Sequence, residues 1–117
     1  MKILIYGTDS DAKMLKQHMG ALSCTAFRII DYLQTEEYEI FLDKLRSVEC
    51  DMIFSMMDNA AGMEGVVAAQ NVWPDKPIIW FSNDKNFVAQ SYRLGVTYFA
   101  VKPISERVLN LAIARCQ

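Results

Sequence analysis

Four stretches of this 117-residue chain set polar side chains directly after apolar runs: Gly7-Thr8-Asp9, Met56-Met57-Asp58-Asn59, Ser82-Asn83-Asp84 and Lys102-Pro103. A lysine gathered with carboxylates is equipment for gripping a phosphoryl group or a divalent cation. Hard oxygens hold Mg²⁺ at about 2.0 to 2.1 Å, and a fixed ammonium balances phosphate charge. The third apolar run, however, ends on Met56 and Met57, where that chemistry wants a carboxylate. A thioether is soft, neutral and a feeble acceptor. Asp58 is the nearest acid that could take a role there, with Asp9 and Asp11 among the other acids near the rim. The competing reading is a loop aspartate facing water, since a one-residue slip in an extended segment turns a side chain to the opposite face.

The elements that must position these residues alternate five times. The run 2–6 ends at Gly7, and Ala12, Leu15 and Met19 then recur at helical spacing, closing near Gly20. Residues 25–33 read as a second strand. Thr35, with Glu36 and Glu37 behind it, opens a helix whose buried stripe is Tyr38, Phe41, Leu42, Leu45 and Val48. A third strand is expected from Asp51 to about Met57, with a helix from near Glu64 to Gln70. A fourth strand spans 77–82, and a helix over 86–94 ends at Gly95, which supplies positive φ. After a fifth strand at 96–101, Pro103 stops the run. Ser105-Glu106 then open a last helix with Val108, Leu109, Ala112, Ile113 and Cys116 inward. Apolar strands alternating with helices imply a parallel sheet with right-handed crossovers, a three-layer α/β, (βα)5 doubly wound arrangement in one domain over 1–117. The loops after strands one, three, four and five then share one rim, where such folds place their ligands.

Composition narrows the classes. An apolar share of 52% and a charged share of 22% are ordinary for a globular chain, and a net charge of −2 with scattered Lys and Arg gives no footprint for nucleic acid. No apolar run approaches the roughly 20 residues needed to span a membrane. The N-terminal apolar stretch is too short for a signal peptide, so a cytoplasmic location is expected. Cys24, Cys50 and Cys116 lack any CxxC pairing and read as reduced thiols, and His18 as a solvated residue near a helix end. Neither a G-x-G-x-x-G nor a Walker loop is present. The segment "GTDSD" offers a flavin phosphate two hydroxyls beside two repelling carboxylates, which leaves a flavin binder a distant alternative. No Ser, Cys or His constellation assembles, so no enzymatic activity is expected.

The pattern "KILIYGTD … DMIFSMM … GMEG … KPIIWFSN … GVTYFAVKPIS" resembles the receiver domains of bacterial two-component response regulators, the CheY-like superfamily, over essentially the whole chain. Gly95, six residues and then Lys102-Pro103 are similar to the family's "GADDYLVKP" ending, with a weaker likeness to the LytTR-type regulators. Gly62-Met63-Glu64-Gly65 matches the "GMDG" turn. The resemblance implies a flavodoxin/CheY-like five-stranded sheet of order 2-1-3-4-5. It also implies Ser82 and Phe99 at the switch positions, and a cis Lys102-Pro103 bond. Ser82 equally reads as a strand-end hydroxyl satisfied by backbone, and Phe99 as packing on an edge strand. The family's Mg²⁺-holding acidic pair falls on Gly7 and Thr8, and its phosphorylated aspartate on Met56 or Met57. The resemblance therefore implies a degenerate receiver, a pseudo-receiver with no cofactor that works in phosphorelay signalling by protein docking. Lys102 is expected to pair with Asp9 or Asp58 beside an otherwise apolar pocket. The expected docking face is helix four, strand five and helix five, carrying Gln90, Tyr92, Arg93, Arg107 and Arg115. Its partners would be a histidine kinase, an output domain or a second copy in a homodimer. The alternative that the resemblance leaves is a working receiver phosphorylated on Asp58 as a displaced phosphoacceptor, with Asp9 or Asp11 as substitute Mg²⁺ ligands.

Overall fold

Five parallel strands lie in the order β2-β1-β3-β4-β5 in a computed structural model of the protein, which describes residues 1–22 and 29–116. The strands are β1 (Lys2–Tyr6), β2 (Asp31–Thr35), β3 (Met52–Ser55), β4 (Ile78–Ser82) and β5 (Tyr98–Val101). The helices are α1 (Asp9–Ala21), α2 (Tyr38–Ser47), α3 (Asn59–Val72), α4 (Val88–Arg93) and α5 (Glu106–Arg115). Strand pleating divides the core into two layers. Ile3, Ile5, Met52, Phe54, Ile79 and Phe81 pack on one face against residues of α1 and α5. Leu4, Tyr6, Ile53, Ile78 and Trp80 pack on the other against α2 and α3. Because both faces of the central strands are buried, β3 and β4 read as unbroken apolar runs.

Local chemistry sets the helix ends. Thr8 Oγ1 accepts the Asp11 N–H at 3.1 Å and Ser105 Oγ the Val108 N–H at 3.1 Å, each answering an orphan donor of a first helical turn. The chain leaves α4 through Gly95 at φ +64°, as its position implies.

Five boundaries differ from expectation. β3 ends at Ser55, and α3 begins at Asn59 rather than near Glu64, so the Gly62–Gly65 "turn" is helix. Ala60 and Ala61 have the highest helix propensity, and no proline opposes them. β2 begins at Asp31, paired with Lys2, while the expected strand over 25–33 falls partly on residues outside the described ones. Ile29, counted as strand, is 87% exposed: an edge strand needs few inward residues, so apolarity alone misplaces it. β5 is shorter than expected, and the segment before α4 tightens into a 3-10 turn at Lys85–Phe87. Inside α3, Gly65 permits close packing on the sheet. A Cβ there would stand 2.5 Å from the Tyr6 ring and 2.7 Å from Ser55 Oγ. Ser55 Oγ in turn donates to the Gly62 carbonyl at 2.6 Å.

Candidate functional site

β1 and β3 run level, Tyr6 opposite Ser55, so the residues after them emerge side by side. The Met56 N–H donates to the Tyr6 carbonyl at 2.7 Å, extending the ladder by one residue. The Met56 side chain consequently follows Met52 and Phe54 into the α1/α5 layer, where it is fully buried. A Cβ on Gly7 would lie 3.0 Å from the Met56 Cβ. The two positions that the resemblance assigns to a metal-binding acid and a nucleophile are thus filled by one thioether and the missing side chain beside it. Met57 turns the opposite way and packs partly buried in the α2/α3 layer.

Lys102 is the centre of the rim. Its Nζ donates to the Met56 carbonyl at 2.6 Å, Asp58 Oδ1 at 2.9 Å and Asp11 Oδ2 at 3.0 Å, which uses all three ammonium protons. The side chains are 17% exposed for Lys102, 19% for Asp11 and 55% for Asp58, so the Asp11 contact is the less screened. Two readings need correction. Asp9 does not reach Lys102; it lies on the outer side of α1, 3.7 Å from exposed Lys13. Lys102 also stands between two carboxylates rather than against an apolar pocket. The Thr8 cap explains the exchange, because it sets Asp9 at the first and Asp11 at the third position of α1. The spacing Thr8-x-x-Asp11 carried that signal. Asp58, at the cap of α3, makes no side-chain cap bond, since its carboxylate is turned to the lysine.

A neutral clasp unannounced in the sequence ties the next two loops. Asn83 Oδ1 accepts the Asn59 N–H at 2.8 Å, and Asn83 Nδ2 donates to Asn59 Oδ1 at 3.1 Å. Asn59 holds φ +59°, a conformation asparagine tolerates. Ser82 is fully buried and its Oγ accepts the Asp84 N–H at 3.1 Å, a hydroxyl satisfied by backbone. Phe99 packs edge-on to Trp80 at 5.1 Å, and the Lys102-Pro103 bond is cis.

The expected docking face divides. Tyr92 is 84% exposed and shares a groove of about 340 Å³ with Arg115, Val88 and Phe99. Arg93 is exposed beside them on α4. Gln90 is half-buried with its Oε1 enclosed, because its turn of α4 faces inward. Arg107 lines a separate groove with Ala21 and Leu22, since eight residues of α5 carry it well round the helix from Arg115. Val101 and Leu111, 39% and 47% exposed, belong with the face instead.

Among the remaining candidates, neither described thiol is activated. Burial pushes the Cys116 thiol up to about 11, and burial chiefly raises Cys50 as well, so neither is poised as a thiolate. Cys24 lies outside the described residues. His18 is half-buried in the last turn of α1. Among the described residues no group of three or more His, Cys, Asp or Glu is placed to hold a metal ion. The oxygens at the rim converge on an ammonium at 2.6 to 3.0 Å, a donor set already spent on one cation. Among the described residues no helix is long and apolar enough to cross a membrane.

No family model matches this chain, and no curated protein matches it. Solved structures do. The Vibrio cholerae chemotaxis protein CheY4 is similar with a TM-score of 0.76 and 19% identity, covering 99% of this chain and 98% of that one. The response regulator TrrA from Thermotoga maritima, solved with Mg²⁺ and BeF, has a TM-score of 0.77 at 16% identity, covering 99% and 98%. A putative CpaE2 pilus assembly protein from Sinorhizobium meliloti 1021 has a TM-score of 0.78 at 14% identity over the whole of both chains. At these identities the likeness establishes architecture: the chain has the CheY-like receiver fold, five parallel strands in the order 2-1-3-4-5 between two helical layers.

Proposed function

We propose that the chain is a degenerate receiver domain of a two-component signalling system, a cytoplasmic docking module without catalytic activity whose working state does not depend on phosphorylation. One observation carries this reading. The lysine that would pair with an acyl phosphate has its three protons committed to Asp11, Asp58 and the Met56 carbonyl, while a buried methionine fills the strand end. Phosphoryl transfer needs a free carboxylate oxygen in line with the donor and a divalent cation against the phosphate charge. Here the thioether has no nucleophilic oxygen, and Gly7 faces Met56 where an acid would stand. Docking falls to the α4-β5-α5 face, with a histidine kinase, an output domain or another copy as its partner.

One observation favours a second reading, a receiver phosphorylated on Asp58 with Mg²⁺. The Asp58 carboxylate is 55% exposed and 2.9 Å from Lys102, so acid and lysine already meet. Incubation with Mg²⁺ and acetyl phosphate followed by intact mass separates the two. The expected result is an unchanged 13.4 kDa chain. A gain of one phosphate that disappears in Asp58→Asn overturns the proposal in favour of the second reading.

A further inference from the structure

The two edges of the sheet carry opposite charge. Residues 85–117, which supply α4, β5 and α5, hold five Lys or Arg and a single acid, Glu106. Residues 31–51, which supply β2 and α2 at the other end of the strand order, hold seven Asp or Glu against two basic residues. A net charge of −2 conceals this separation. Lys102 is held at the rim by Asp11 and Asp58, and Glu49 by Lys76, but much of the rest is unspent. Lys85, Arg93 and Arg115 make no ion pair among the described residues, nor do Glu36, Glu37, Glu39 and Asp43.

Each edge joins its charge to exposed apolar surface. On the β5 side Val88 is 48%, Tyr92 84% and Leu111 47% exposed, and Leu111 lies one turn before Arg115 on the same side of α5. On the β2 side Ile40 is 43% exposed, between Glu39 and Asp43 on the face of α2 opposite buried Phe41 and Leu45. Tyrosine and arginine are frequent anchors of protein contacts, whereas an isoleucine flanked by carboxylates is shaped to receive them. β5 is also an edge strand, whose outer N–H and C=O groups have no ladder partner in the sheet.

We infer that the β5 edge of one copy docks on the β2/α2 edge of another, a head-to-tail association in which the occupant of the cationic face is the acidic edge of this same chain. It rests on the reading of α4-β5-α5 as a docking face, and is independent of whether Asp58 accepts phosphate. A contact joining two different surfaces does not close on itself at two copies unless a rotation happens to close the ring. The assembly therefore grows with concentration instead of stopping at a dimer. Electrostatic attraction holds the register, so the association weakens as salt shortens the Debye length.

Sedimentation velocity across a wide concentration range tests this, at about 0.01 M and about 1 M salt, where the Debye length is roughly 30 Å and 3 Å. The expected result is a mass above 13.4 kDa that climbs with concentration at low salt and returns to 13.4 kDa at high salt. Arg93→Glu/Arg115→Glu and Glu39→Lys/Asp43→Lys should each be monomeric at low salt, and an equimolar mixture of the two should associate again. Circular dichroism of each variant controls for folding, and any charge variant that unfolds is replaced by its neutral version, Arg→Gln or acid→Gln/Asn. A wild-type chain that stays at 13.4 kDa throughout overturns the inference and leaves the face to a different macromolecule. So does association that survives Glu39→Lys/Asp43→Lys, which would mark a symmetric contact of two β5 edges. A mass gain with acetyl phosphate bears on the rim alone, so failure there and failure here are told apart.

Discussion

The rim of the sheet and its β5 edge are made from adjoining stretches of chain, yet they treat polar groups in opposite ways. At the rim the loops answer one another. Lys102 is shared among Asp11, Met56 and Asp58, the amides of Asn59 and Asn83 close on each other, and the Ser82 hydroxyl takes the Asp84 N–H. A few residues away, Val88, Tyr92 and Leu111 are exposed, and Arg93 and Arg115 have no ion-pair partner among the described residues. A surface that satisfies its own groups gains little from a ligand, while one left open offers both burial and charge to a partner. On the proposed reading the contrast assigns recognition to the edge and structural cohesion to the rim, and substitutions should separate them.

The largest effect is expected beneath the rim, where α3 meets the sheet. Gly65→Ala sets a methyl 2.5 Å from the Tyr6 ring, which is itself stacked on Phe41 at 4.6 Å and has no room to yield. Overpacking of this kind costs about 3 kcal/mol, a fall in melting temperature of roughly 10 °C for a domain of this size. A thermal melt by circular dichroism reads it. A melting temperature unchanged by Gly65→Ala would mean that α3 sits farther from the sheet, and would loosen the rim side of the comparison.

Next in size is the lysine. Lys102→Met leaves the poorly exposed Asp11 carboxylate and the Met56 carbonyl without their donor, costing about 2 kcal/mol. Asp11→Asn should cost more than Asp58→Asn, because the Asp58 carboxylate at 55% exposure is better screened than Asp11 at 19%. Tyr92→Ser and Arg93→Ser, by contrast, should shift stability by no more than about 0.5 kcal/mol while weakening association. Urea unfolding of the five variants, analysed with a common slope, ranks them. Equal losses at the rim and at the edge would abolish the distinction.

The same division explains how much the sequence conveyed. Strand and helix order were legible because periodicity reports burial, and the buried strands β1, β3 and β4 are the most regular parts of the pattern. The α3 boundary was missed because "SMMDNAAGMEG" was read by its polar and glycine content. Two alanines and the absence of proline were the better guide, and the glycines serve contact with the sheet rather than a turn. That methionines rather than a carboxylate follow the third strand is visible directly. The ion pair at the rim is half legible: the sequence offers Asp9 or Asp58 as partners of Lys102, and Asp58 does meet it, whereas the Thr8 cap brings Asp11 rather than Asp9 to the lysine. The Asn59–Asn83 clasp joins residues 24 apart through side chains, and no local pattern announces such a pair.

The effect that is absent at neutral pH comes from groups that belong to neither region and so fixes the baseline for both. Burial raises the Cys116 thiol from its ordinary 9.0 to about 11, where its Sγ donates to the Ala112 carbonyl at 3.3 Å. A raised value means that the folded state keeps its proton more tightly than the unfolded chain. The corresponding stability is whole below pH 9 and is lost as the pH climbs toward about 11. Tyr6 and Tyr32, both raised from 10.0 chiefly by burial, extend the loss in the same direction at higher pH. Melting temperature should therefore stay level up to about pH 9 and then decline. Cys116→Ala should remove the first part of the decline and leave the tyrosine part. If the decline kept its full size in Cys116→Ala, the thiol would not be its source, and the alkaline limb would have to be traced to the tyrosines of the two core layers.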